Sequence, residues 1–146
     1  MHWIEVNTEK DMKKLLEVFG GFHDGCLREM HLWNSYFIDE DLCMGSGEGN
    51  LNAKVIFQRQ LENPSAIEVY FTQVQRMNIV STPSNYWYSI FEATLNYKDG
   101  LYYWADEDDF NIDSPNNEAM WICSKGIKWR NRSEWMGEKL RYGCKE

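Results

Sequence analysis

Apolar residues recur with two different periods along this chain, and the change of period marks where helix gives way to sheet. Met12, Leu15, Leu16 and Phe19 fall at i, i+3, i+4 and i+7, on one face of a helix. Thr8, ahead of "EKDMKKLLEVFGG", is the expected N-cap, with acidic residues in the first turn and glycine to end the helix. Beyond it the pattern alternates. "CLREMHLW" and "DLCMG" read as strands, the first irregular because Arg28 and Met30 would share a face. In "AKVIFQRQ" Ala53, Val55 and Phe57 lie on one face; in "AIEVYF" Ile67, Val69 and Phe71 do, and "ENPS" is the turn between them.

The sharpest local signal is "FEATLNYKDGLYYWAD", because Asp99-Gly100 is a preferred two-residue hairpin turn. Lys98 then pairs with Leu101, Tyr97 with Tyr102 and Leu95 with Trp104. These four inner residues, with Phe91 and Ala93, form the expected core face. A second hairpin is expected in "AMWICSKGIKWRNR", turning at Lys125-Gly126 with Ile122 opposite Trp129 and Trp121 opposite Arg130. "DEDDFNIDSPNNE" reads as an acidic loop between the hairpins, and the last dozen residues as a loosely held tail. The sum is an α+β fold in a single domain, residues 1–146. One N-terminal helix packs on an antiparallel sheet of about seven strands, for which a plain sheet, a curled one and a sandwich all stay open.

Composition agrees with this. A chain of 146 residues that is 43% hydrophobic can bury one core. Its seven Trp, eight Tyr and seven Phe favour pleated surfaces. No run is apolar enough for a signal-peptide core or a membrane span, which implies a soluble, cytoplasmic protein. Cys26, Cys43, Cys123 and Cys144 are scattered and are expected as reduced thiols. The net charge is −8, unevenly spread: residues 1–119 hold 8 Lys/Arg against 20 Asp/Glu, and the remainder 7 against 3. Such a chain is expected to be repelled by nucleic acid and anionic membranes, and to suit a basic partner.

Candidate chemistry concentrates in "GGFHDGCLREMHLWN". His23 and Cys26 have the groups for a metal half-site or a thiol with an imidazole base, but nothing nearby completes either. The structural alternative is a helix-to-strand corner. There Gly20 and Gly21 take positive φ, Phe22 anchors in the core and the Asp24 carboxylate accepts from turn amides. "GSGEGN" lacks the following helix that a phosphate loop requires. Asp109, Asn111 and Asp113 have calcium-loop spacing, but Ser114 and Met120 occupy the positions that need Gly and Glu. Asp106, Glu107, Asp108 and Asp109 form a solvated acidic run, which on the sharper reading docks a basic protein. Lys128, Arg130 and Arg132 alternate, as phosphate or carboxylate grips or as a charged strand edge. No GxSxG, HExxH or kinase-like set appears, so no catalytic residue, metal site or cofactor is assigned.

Through "GFHDGCLREM", "FQRQLENPSAIEVYF", "GLYYWADEDDF" and "WICSKGIKWR" the chain resembles a group of small uncharacterised bacterial proteins with this succession of segments. The "FHD" after a short helix, with the acidic strand-rich body, also resembles immunity proteins of bacterial toxin systems. That resemblance implies a non-enzymatic interaction protein, an immunity-type inhibitor whose acidic loop masks the basic active site of a toxin domain. The alternative is a small-molecule-binding protein or enzyme with a pocket formed by His23, Asp24, Trp33 and Trp104.

Overall fold

Thr8 caps the helix as its side chain suggests: its hydroxyl accepts from the Asp11 amide at 3.1 Å, while the Asp11 carboxylate accepts from the Thr8 amide at 2.9 Å. This reciprocal box is worth about 1 kcal/mol and fixes the start of α1, Glu9–Val18. The computed structural model describes residues 2–45, 50–82 and 89–134. Met12 and Leu15 of α1 are buried, and Phe19 just beyond it is fully so.

The strands are β1 (Ile4–Val6), β2 (Gly25–Asn34), β3 (Leu51–Arg59), β4 (Ala66–Asn78), β5 (Thr94–Lys98), β6 (Leu101–Ala105) and β7 (Trp121–Asn131). They form one open antiparallel sheet in the order β2-β3-β4-β7-β6-β5, with β1 beside the far end of β7. The architecture is therefore α+β, with the N-terminal helix against a single sheet rather than a sandwich. The core lies on the helix side, where Val55, Phe57, Ile67, Val69, Phe71 and Trp104 are at most 2% exposed.

The Asp99-Gly100 hairpin has the expected register, Lys98 with Leu101, Tyr97 with Tyr102 and Leu95 with Trp104. Leu95, Tyr102, Trp104 and Ala93 are buried as expected, but Tyr97 and Phe91 are exposed, because they lie beyond the area the core covers. Arg28 sits at a register shift between Leu27 and Glu29, so the strand drops one residue out of phase and Arg28 no longer shares a face with Met30. "DLCMG" is not a strand: Ile38 and Met44 form an isolated bridge around a turn.

The second hairpin is not formed. Residues 121–131 run on as one strand paired with β4, and Gly126 lies opposite Thr72. The apolar pattern changes phase here, since Ile122 and Ile127 both face the core. In a lone sequence such a phase change looks like a reversal of direction. The neighbouring strand absorbs it instead: Gln73 of β4 takes φ 51, and its amide donates to the buried Asn52 side chain at 3.2 Å.

The acidic loop folds back over the outer face of β6 and β7, where Phe110 and Ile112 cover Trp121 and Cys123. Cys26, Cys43 and Cys123 are free thiols. Cys144, the C-terminal dozen and most of the glycine-rich stretch after Gly45 lie outside the described residues. No helix among the described residues is long and apolar enough to cross a membrane.

Candidate functional site

The antiparallel order sends the β2–β3 and β6–β7 connections out of the same end of the sheet. In the first of these, Tyr36, Phe37, Ile38, Leu42 and Met44 are all exposed, Leu42 at 83% and Met44 at 67%. This is a local concentration of apolar surface, interrupted only by Asp39, Glu40, Asp41 and Cys43. The segment is ordered from within. The Asp39 carboxylate accepts from the amides of Asp41 at 3.0 Å and Cys43 at 2.9 Å, and the Phe37 ring closes over Gly45. Asp39 is thereby engaged, whereas Glu40 and Asp41 face solvent.

The second connection carries the acidic run, whose four members differ. Asp106 is part-buried: its carboxylate accepts from the Met120 amide at 3.0 Å and closes the base of the loop. Burial pushes its carboxyl above the usual aspartate range, with Glu107 adding to the shift against the Met120 hydrogen bond. Glu107 accepts from Asn116 at 3.0 Å. Asp108 and Asp109 are exposed. Two of the four thus build the loop and two project from it.

The helix-to-strand corner is held by backbone. Gly20, Gly21, Phe22 and Asp24 all have positive φ, and Phe22 is locked by edge contacts with Phe19 and Phe57. Asp24 donates its amide to Ile90 at 3.0 Å and receives the Gln60 amide on its carbonyl at 3.1 Å. Its carboxylate, however, accepts from no described backbone amide. It sits 3.4 Å from His23 Nε2, both side chains about half exposed, while His23 Nδ1 donates to the Phe91 carbonyl at 2.6 Å. Such an exposed pair stabilises little.

Of the four residues expected around one pocket, only His23 and Asp24 meet. Trp104 is 1% exposed, packed on Phe22 and Phe57 in the core. Trp33 lies on the other face of the sheet, stacked on Tyr70. A groove of about 420 Å3 runs beside Asp24 and Cys26. Its Arg59 is committed to the Pro64 carbonyl at 2.7 Å, and burial pushes the Cys26 thiol up, away from the reactive thiolate. A second groove, about 570 Å3, separates α1 from β5. No group of His, Cys, Asp and Glu among the described residues is placed to hold a metal ion.

The exposed Tyr36–Met44 segment was missed as a surface because "DLCMG" alternates like a strand. The available signal was five large apolar residues within nine positions, broken by three consecutive acids that no core strand would tolerate. Comparison with protein-family models, curated proteins and solved structures finds no match.

Proposed function

We propose that the chain is a non-enzymatic interaction protein that docks a basic protein partner through this end of the sheet, as an immunity-type toxin inhibitor would. The observation that carries the proposal is the ordered, exposed apolar segment Tyr36–Met44 with Glu40 and Asp41 at its tip. Asp108 and Asp109, leaving the same end, extend the negative field. Apolar residues ringed by one sign of charge combine contact area with steering: the apolar side chains slow dissociation and the carboxylates speed encounter.

The test is co-expression with the C-terminal domain encoded by the adjacent gene. If that domain arrests growth, the chain should restore it. Ile38→Ser with Leu42→Ser should abolish rescue without lowering the melting temperature, since both side chains are already exposed. A harmless neighbouring domain, or rescue that survives the double substitution, would refute the proposal.

A further inference from the structure

The solvent face of the sheet, opposite α1, carries a strip of rings and cations that the docking end does not use. Register aligns His31 of β2, Lys54 of β3, Tyr70 of β4, Lys128 of β7 and Glu5 of β1 in one row across five strands. Trp33 stacks on Tyr70 at 5.5 Å and 23°, Trp3 meets the other side of the strip at 5.7 Å from Tyr70, and His31 lies 4.9 Å from Trp33. Lys54 Nζ lies 5.4 Å from the Tyr70 ring and 5.6 Å from Trp33. Lys128 Nζ lies 4.8 Å from Tyr70 and 5.5 Å from Trp3, and the Arg130 guanidinium sits 4.3 Å over Trp3.

These cations are not equally satisfied. Arg130 donates twice to the buried Glu68 carboxylate, at 2.7 and 2.6 Å, and Arg132 approaches the same oxygen at 3.8 Å. Glu68 is thereby used up. Among the described residues no carboxylate pairs with Lys54 or Lys128; Glu5 faces Lys128 in register but forms no ion pair with it. Two unneutralised ammonium groups, two strands or roughly 10 Å apart, therefore share one set of aromatic faces.

The strip lies on a sheet face, apart from the grooves beside α1 and beside Asp24, whereas small ligands favour concave pockets that cover most of their area. A ring platform on an antiparallel sheet with cations between the rings suits instead a succession of bases, each offering a π-face, joined by phosphates. We propose that this face binds single-stranded nucleic acid, with bases stacked on Trp33, Tyr70 and Trp3 and phosphates held by Lys54 and Lys128. The lysines, lying over the rings, swing from the ring faces to the phosphates. The net charge of −8 argues for repulsion, and Glu5 stands in the row itself with Glu29 and Glu68 in the next one; Glu68 is neutralised by Arg130, and the acidic loop packs elsewhere. The acidic loop covers β7 at Cys123, about 17 Å along the strand from Lys128 and beyond the ~10 Å screening length at ~0.1 M salt. This proposal is independent of the docking end.

The experiment is fluorescence anisotropy of a short fluorescein-labelled oligothymidylate with the full chain across a salt series. Two phosphate contacts give a slope of log K against log salt of about −1.4. Lys54→Ala and Lys128→Ala should each shallow it by about 0.7, and together remove it. Trp33→Ala should weaken binding roughly tenfold with the slope unchanged. Melting curves show whether each variant is folded, and the two lysine variants carry the test if Trp33→Ala unfolds. Weaker binding to a duplex of the same length supports the proposal. No binding at low salt, or binding indifferent to the two lysines, overturns it. Equal affinity for poly-glutamate would assign the face to an acidic protein segment, and equal affinity for thymidine monophosphate to a single nucleotide; either result also overturns it.

Discussion

Asp24 stands at φ 55 with its carboxylate turned toward His23 rather than toward turn amides. Its side chain therefore matters mainly because aspartate tolerates the left-handed conformation better than most residues. Asp24→Ala should cost about 1 to 2 kcal/mol, while Asp24→Gly, which removes the same carboxylate, should cost less than Asp24→Ala. Denaturant midpoints of the two variants decide it: equal losses would show that the carboxylate itself holds the corner.

Asp106 presents the opposite case, a carboxyl whose burial raises its pKa in the folded chain above the ordinary 3.8. The folded state then binds the proton more tightly than the unfolded one. Its contribution to stability is complete below the ordinary aspartate range and is lost as pH rises through the raised value. Asp106→Asn keeps an oxygen to accept from the Met120 amide but carries no charge to desolvate. It should be more stable than wild type at neutral pH, and the advantage should vanish in acid. A variant less stable at neutral pH would show that the charge strengthens the hydrogen bond by more than burial costs.

At the scale of elements, β7 is the instructive strand. Lys125-Gly126 resembles a turn in sequence, yet Gly126 is glycine because of the strand beside it: a Cβ there would collide with the Thr72 hydroxyl. Gly126→Ala should destabilise by about 1 to 3 kcal/mol, and adding Thr72→Ala should recover most of it. A hairpin turn would have made the cost of Gly126→Ala indifferent to Thr72. The Asp99-Gly100 hairpin was legible down to its register because the turn itself dictates the pairing of its flanks. For Lys125-Gly126 the deciding partner is more than 50 residues away in the chain. Arg28 teaches the same lesson: its awkward position in the alternation is resolved by a bulge that only the pairing with β3 reveals.

Across the whole molecule, the alternation of apolar residues, the Thr8 cap, the Asp99-Gly100 turn and the aromatic content determined an α+β chain with one N-terminal helix on an antiparallel sheet. Those signals act through neighbours a few residues apart, so they survive in the sequence alone. Tertiary structure decided which carboxylates project and which are engaged, as the division between Asp108 and Asp106 shows. It placed Trp33 and Trp104 on opposite faces of one sheet, brought Tyr36–Met44 to the same end as the acidic loop, and gathered Trp3, Lys54, Tyr70 and Lys128 from four separate segments. Strand order and cross-strand register create these groupings, and both are set by contacts between residues far apart in the chain, where composition and local periodicity carry no information.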